Sequence, residues 1–531
     1  MRTPFRVLAL LLLLRAPLLA QQATPAQLQG VRSYIKKGWT DLVRTHKELL
    51  AAAKDPKFPP SKQGRWFVYL SAKEDSVAVE AKLKAAMPPA DFAKIELRRL
   101  PDDPAKIERH GILYLPHPYV VPGGRFNEMY GWDSYFIVVG LLGDGEVELA
   151  RQMVDNFIYE IDHYGTILNA NRSYYLSRSQ PPFLTRMVLD VYAKTRDKAW
   201  LAAAVPAIEK YYGYWAREPH HVPETGLARY YDLGKGPAPE VLSDEKDEKG
   251  RTHYDRVKAF YKSKPPEFAD GYDVSLFYDR KADRLTDLFY VADRSMRESG
   301  FDPSNRFGPF NIGVIHYNAV CLNSLLYVME KETAQILKMV GRKKDVPNWE
   351  KRAAARKKAV QSYLWDEKAG LYFDYDFKAK KRREYPFGTT FFPLWAGIAT
   401  PAQARKVTAS ALKLLETPGG LRTSTQETGS QWDSPFGWAP LQVVAVRGMR
   451  RYGLKKDADR IAAKFLSLVL KEHTEHNAIF EKYDVVRRES AVSSGIKFGY
   501  STNEIGFGWT NAAFVDLWSD LSPAGRAAVL R

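Results

Sequence analysis

Apolar residues recur along this 531-residue chain at spacings of three and four. Ala150, Met153, Val154, Phe157, Ile158 and Ile161 form one stripe, and Leu184, Met187, Val188, Val191 and Tyr192 form another. Further stripes run through Val314, Tyr317, Cys321, Leu325 and Val328, through Val407, Ala411 and Leu414, and through Ala458, Ile461, Ala462, Phe465, Leu468 and Val469. That period places each set on one face of a helix. Strand-like runs are few: Trp66 to Leu70, Ile112 to Leu115, and Leu371 to Phe377. The pattern predicts a mostly α-helical protein. Helices are also expected near residues 28–54 and 75–87, with a strand between them.

Between the stripes lie loops dense in Gly, Pro, Asn and aromatic residues, at 121–133, 169–182, 230–239, 300–309, 426–440 and 481–509. None has the Ser/Gly or Pro-rich composition of an interdomain tether. Length alone, at about 150 residues per domain, suggests three or four domains. Helices joined by dressed loops suit one toroid of paired helices better. Residues 111–531 are expected to form it, with residues 21–110 a partly helical extension packed on its side.

Composition narrows the class. Hydrophobic residues make up 45% and charged residues 27%, as in an ordinary globular protein. The 79 Lys and Arg exceed the 62 Asp and Glu, giving a formal charge of +17. The excess is dispersed: Lys380 to Arg383 sits between aromatic-rich runs like a hairpin tip, and Arg342 to Lys358 alternates with Ala like a solvated helix face. No nucleic-acid motif accompanies it, so nucleic acid is not an expected partner. Cys321 is the single cysteine, which excludes an intramolecular disulfide, a cysteine zinc site and a CxxC redox pair. At the start, Arg2 and Arg6 precede an apolar run from Val7 to Leu14, followed by Ala20 before Gln21. Eight apolar residues are too few to span a bilayer, and the arrangement reads as a signal peptide over residues 1–20. A periplasmic or secreted protein, without stable membrane insertion, is the expectation.

The loops collectively offer Arg125, Trp132, Asp133, Asn169, Arg178, Gln180, Glu240, Asp302, Arg306, Gln431, Trp432, Asp433, Glu481 and Trp509. Aromatic planes stack on the apolar faces of sugar rings, while carboxylates, amides and guanidiniums satisfy hydroxyls. That mixture suits a polyol. It lacks the clustered His or Cys of a transition-metal site, and no Gly-rich phosphate loop opens a helix. Each residue also has a plainer reading: Asp302 could form an Asx turn before Pro303, Glu481 a surface ion pair, and Trp432 and Trp438 part of a core.

The ordered motifs decide between these readings. Pro122-Gly-Gly-Arg-Phe-Asn-Glu-Met-Tyr-Gly-Trp-Asp-Ser-Tyr135 and Gln431-Trp-Asp-Ser-Pro-Phe-Gly-Trp-Ala-Pro440 resemble the two signature segments of the trehalases of glycoside hydrolase family 37. Asn169 to Pro182, Glu298 to Arg306, Glu481 to Asp484 and Gly506 to Asn511 follow the same family's order. The resemblance covers residues 110 to 520. It implies an all-α (α/α)6 toroid that hydrolyses trehalose to two glucoses with inversion. A monomer without metal or organic cofactor is expected. The resemblance further implies that Asp302 is the general acid and Glu481 the general base. Inversion requires their carboxyls to stand roughly 6.5–9.5 Å apart, with water between base and sugar. Arg125, Trp132, Asp133, Asn169, Arg178, Ser179 and Gln180 match substrate-contacting positions, and Gly300 matches a glycine that lets backbone approach the sugar. Glu240, Trp432 and Trp509 complete the expected substrate contacts.

Two departures stand out. The family's Arg-Pro-Glu clamp reads Ala238-Pro-Glu240 here, with Lys235 the nearest replacement cation. The family's Gly-rich lid ending in Gly-Glu-Tyr reads Ser494-Gly-Ile-Lys-Phe-Gly-Tyr-Ser-Thr-Asn-Glu-Ile-Gly506, with Glu504 out of register. These changes leave two alternatives open: hydrolysis of another α-glucosidic disaccharide, and sugar binding without turnover.

Overall fold

A computed structural model describes residues 24–531 apart from 243–245, 248, 269–271, 493, 494 and 501. The signal-peptide reading of residues 1–20 lies outside the described residues. Among those described, twelve helices build the frame: α1 (Pro25–Leu42), α2 (Asp133–Asp144), α3 (Val147–His163), α4 (Leu184–Thr195), α5 (Lys198–Trp215), α6 (Val320–Val340), α7 (Val346–Tyr363), α8 (Phe392–Ala396), α9 (Pro401–Leu415), α10 (Ala439–Arg451), α11 (Lys455–His476) and α12 (Gly508–Asp520). Helices α2, α4, α6, α8, α10 and α12 each touch the next, and α12 returns to α2, so they close an inner ring. The alternate helices lie outside it. The architecture is an (α/α)6 toroid.

The sequence separates the two layers by amphipathicity. Inner helix α2 buries nine residues, from Asp133 round to Leu142, because neighbours surround it. Outer helix α3 buries Ala150, Met153, Val154, Phe157 and Ile161 along the expected stripe and leaves its other face to water. Helices α2 and α12 cross closely: a Cβ at Gly140 would stand 2.7 Å from Ala512, so only glycine admits the approach.

The expected division near residue 110 is crossed by packing on both sides. Helix α1 buries Val31, Ile35, Trp39 and Leu42 against α11 and α12, and so serves as the ring's sixth outer helix. Each such apolar side chain contributes about 1.5–3 kcal/mol. The Trp39 indole N–H donates to Asp144 Oδ2 at 2.8 Å, tying α1 to the end of α2. Strand Trp66–Leu70 lies between parallel strands Ile95–Arg99 and Ile112–Leu113, pairing Val68 with Ile112. Helix Ser76–Ala86 buries Val79 and Leu83 with one face of this small sheet. Beyond the sheet, the Leu113 N–H donates to Asn171 O at 2.9 Å, so the N-terminal segment abuts the 169–182 loop.

Three element expectations change. Ile112 to Leu115 is a strand for two residues only, and Leu371 to Phe377 divides into two short strands with different partners. The stripe from Val314 does not run as one helix. Phe310 and Asn311 have φ of 58° and 62°, Tyr317 pairs with Asp376, and α6 starts at Val320. The cause is distant: Asp374 Oδ1 accepts from the Val320 N–H at 2.8 Å, capping α6 there. Lys380 to Arg383 does close a hairpin, with Tyr375 opposite Arg382.

Candidate active site

The loops at one end of the toroid enclose a pocket of about 820 Å³, its open mouth included. Arg125, Trp132, Asp133, Asn169, Arg178, Gln180, Glu240, Gly300, Asp302, Trp432, Glu481 and Trp509 line it. Segments far apart in sequence thus meet on one cavity, of a size suited to a small ligand.

Each loop is fixed by its own hydrogen bonds. The Trp132 N–H donates to Gln180 Oε1 at 2.9 Å, and the Asn169 N–H to Arg178 O at 3.1 Å, which lock the 121–133 and 169–182 loops together. Beneath them Arg172 is buried, donating to Ala52 O at 2.7 Å, Ala53 O at 3.1 Å and Glu128 Oε1 at 2.6 Å. The second signature segment holds the Asp302 loop: Gln431 Nε2 donates to the Asp302 carbonyl, and the Trp432 N–H to Pro303 O at 3.1 Å. Asp433 lies outside the pocket and knits loops together, accepting from Asn305 N, Ser424, Thr428 and Tyr385.

The floor is aromatic. Trp432 and Trp438 stack at 3.9 Å between centroids, while Trp132 and Trp509 meet at 5.9 Å, edge to face. Gly300 has φ +75°, and a Cβ there would stand 2.9 Å from the Trp132 indole. The neighbour that requires glycine is therefore the tryptophan wall.

The carboxyls differ sharply in surroundings. Burial pushes Asp302 up to about 6, against the Arg297 guanidinium, whose Nη1 lies 4.0 Å from its Oδ2. Burial, then Glu481 and Asp302, hold the Asp133 carboxyl well above the usual carboxylate range. Glu481 accepts from the Tyr500 hydroxyl at Oε1 and from Lys482 Nζ at Oε2, the latter at 3.0 Å. Burial would push Glu240 up, but the Arg178 and Arg297 guanidiniums hold it at about 2. Arg178 bonds Glu240 through Nη2 and turns Nη1 toward Asp232 Oδ2 at 3.5 Å, so two buried carboxylates hold it against the pocket wall.

Some expectations shift. Ser179 does not line the pocket: its side chain turns into the core, with Oγ 3.0 Å from the Tyr211 hydroxyl. Arg306 is likewise turned away, buried against Asp374 with Nε 2.6 Å from Oδ2. Lys235 does not replace the clamp arginine; among the described residues the pocket's guanidiniums are those of Arg125, Arg178 and Arg297. Arg297, Tyr175, Tyr130, Tyr500 and Lys57 line the pocket without having been singled out. Arg297 stands one residue ahead of the Glu298 motif and pairs with the buried Asp293 at the i, i+4 spacing, 3.2 Å away. Glu504, out of register for a lid, instead pairs with Arg125 at 3.5 Å.

Among the described residues, no donor set in the pocket resembles a metal site. Elsewhere among the described residues, Glu472, Glu475 and His476 gather within 4.8 Å, but Lys471 Nζ already lies 2.6 Å from Glu472 Oε1.

Comparison with known proteins places this architecture. The family profile described as Trehalase matches residues 20–522. The chain belongs to the trehalase family. A cytosolic neutral trehalase of Saccharomyces cerevisiae is 41% identical over 435 residues, covering 75% of this chain and 56% of that protein. One from Neurospora crassa is 39% identical over 439 residues, covering 75% and 57%. The chain therefore spans little more than half the length of these curated relatives. The solved neutral trehalase of Saccharomyces cerevisiae superposes with a TM-score of 0.78 at 33% identity, covering 95% of this chain and 96% of that one. These relatives are named as cytosolic, which overturns the expectation of a periplasmic or secreted protein and removes the support for a signal peptide. No helix among the described residues is long and apolar enough to cross a membrane.

Proposed function

We propose that the protein is a monomeric α,α-trehalase that cleaves trehalose with inversion, Asp302 acting as general acid and Glu481 as general base. The observation that carries this reading is the pairing of two carboxyls on one pocket in opposed environments. Asp302 is pushed up to about 6 by burial, the condition for holding a proton to deliver. Glu481 accepts from a phenol hydroxyl at one oxygen and an ammonium at the other, which hold the carboxylate in place on the pocket wall.

In this reaction Asp302 gives its proton to the glycosidic oxygen as the bond to the anomeric carbon breaks. Glu481 takes a proton from water as the water oxygen bonds that carbon from the opposite face. One glucose leaves with inverted and one with retained configuration. Arg297 favours the Asp302 carboxylate that remains, and Arg178, Asn169, Gln180 and Asp133 supply hydroxyl partners around an aromatic floor. Arg125, Trp132, Trp432, Trp509 and Glu240 complete the substrate enclosure, and Gly300 leaves room for the Trp132 indole. Residues 111–531 carry the chemistry, with residues 24–110 bracing its loops.

The test is to incubate the purified protein with trehalose and a panel of α-linked disaccharides and follow the anomeric proton signals with time. Equal initial release of α- and β-glucose from trehalose is expected. Turnover of another disaccharide but not trehalose would sink the assignment, as would binding without turnover.

A further inference from the structure

The base, Glu481, is held from several sides. Its backbone carbonyl accepts from the Trp509 indole N–H at 3.0 Å, and its own N–H donates to Glu504 O at 2.9 Å. Its two carboxylate oxygens are divided between different donors, Lys482 Nζ on Oε2 and the Tyr500 hydroxyl on Oε1. Lys482 follows directly in the chain. Tyr500 arrives from the segment that departs from the family's lid, and the geometry around it is built.

The Lys482 ammonium sits 4.0 Å from the Tyr500 ring centroid and the Arg125 guanidinium 4.7 Å from it, while the Phe126 edge meets it at 6.1 Å. The preceding residue, Gly499, has φ +109°, and a Cβ there would stand 2.7 Å from Gln431 Cδ. Gln431 is the residue that donates to the Asp302 carbonyl. The backbone entering Tyr500 is thus pressed against the support of the acid, while its hydroxyl reaches the base.

We propose that Tyr500 is the positioning residue of Glu481, fixing the carboxylate so that the remaining lone pair of Oε1 faces the attacking water. A carboxylate oxygen accepts two hydrogen bonds, so the tyrosine and the water can share it. A hydroxyl donating to a carboxylate forms a short, charge-assisted bond and favours the ionised base. Burial and the neighbouring Glu481 raise the Tyr500 phenol well above its ordinary value, so it keeps the proton it donates. This role rests on the hydrolytic reading above. It also gives the altered lid a function: the same segment carries Glu504 to Arg125 and Tyr500 to the base.

Among the described residues, the charged and titratable groups facing Glu481 are Lys482, next in the chain, Tyr500 from the altered lid, Asp133 from α2 and Asp302 from the acid loop. Arg125 and Glu504 stand behind Tyr500. Removing only the hydroxyl, by Tyr500→Phe, leaves the ring contacts. The expected result is a kcat at least about tenfold lower with KM within about twofold and an unchanged melting temperature. A kcat within about twofold overturns the proposal, and so does a loss that tracks a lowered melting temperature. A second measurement needs no turnover: the side-chain carboxyl ¹³C signal of Glu481 in ¹³C-glutamate-labelled protein at one fixed pH, assigned through Glu481→Gln. A signal displaced in Tyr500→Phe supports the proposal, and an undisplaced one refutes it. A wild-type protein that leaves trehalose intact would defeat the substrate reading, while this signal still decides the role of Tyr500.

Discussion

At the scale of single residues the site turns on how its charges are balanced. Asp302 is raised to about 6 because burial outweighs the pull of Arg297. Its folded value therefore exceeds the unfolded value of about 3.9, so its contribution to stability is fully present below pH ~4 and is lost as pH rises through about 6. Asp302→Asn should abolish trehalose hydrolysis while largely keeping affinity, read by kinetics and titration calorimetry. The same variant should melt like the wild type at pH 4 but higher at pH 8, by about 1–2 kcal/mol once the open third of its side chain is allowed for. In the wild type the alkaline limb of kcat/KM should fall near pH 6, where the acid loses its proton. Arg297→Met removes the cation that lowers Asp302, so that limb should move upward in pH; an unmoved limb would count against the pairing. The chemical types of these residues were legible in the sequence. Their electrostatic settings were not, because burial and neighbours from other loops create them.

At the scale of elements, the aromatic floor depends on backbone that yields to it. Gly300 combines a left-handed φ with contact against Trp132, so Gly300→Ala should cost about 1–3 kcal/mol, read as a lower melting temperature, and displace the tryptophan enough to reduce kcat/KM. Helical stripes such as Ala150 to Ile161 and Ala458 to Val469 translate directly into α3 and α11, since a 3.6-residue period needs only local geometry to become a buried face. The stripe from Val314 fails for the opposite reason. Its first two apolar positions serve a 3-10 helix and a strand, and the start of α6 is set by Asp374, more than fifty residues later. Ser179 shows the same limit: its motif neighbours face the pocket, while its hydroxyl is captured by Tyr211 from α5.

At the scale of the whole molecule, ring closure and the site share their supports. Helix α1 completes the outer layer, and the carbonyls of Ala52 and Ala53 receive the Arg172 guanidinium beneath the substrate loops. A chain beginning at residue 111 should therefore lose cooperative melting, because it leaves an open ring and a buried guanidinium short of acceptors. A sharp transition at the wild-type temperature would contradict that role. The sequence by itself determined the helical class, the chemical inventory of the loops and, through ordered motifs, the family. Tertiary structure alone decided that α1 belongs to the ring, that Arg297 supplies the pocket's third guanidinium and that Tyr500 reaches Glu481. Periodicity and motifs are local and survive in a linear reading, whereas closure, burial and charge balance arise only where distant segments meet.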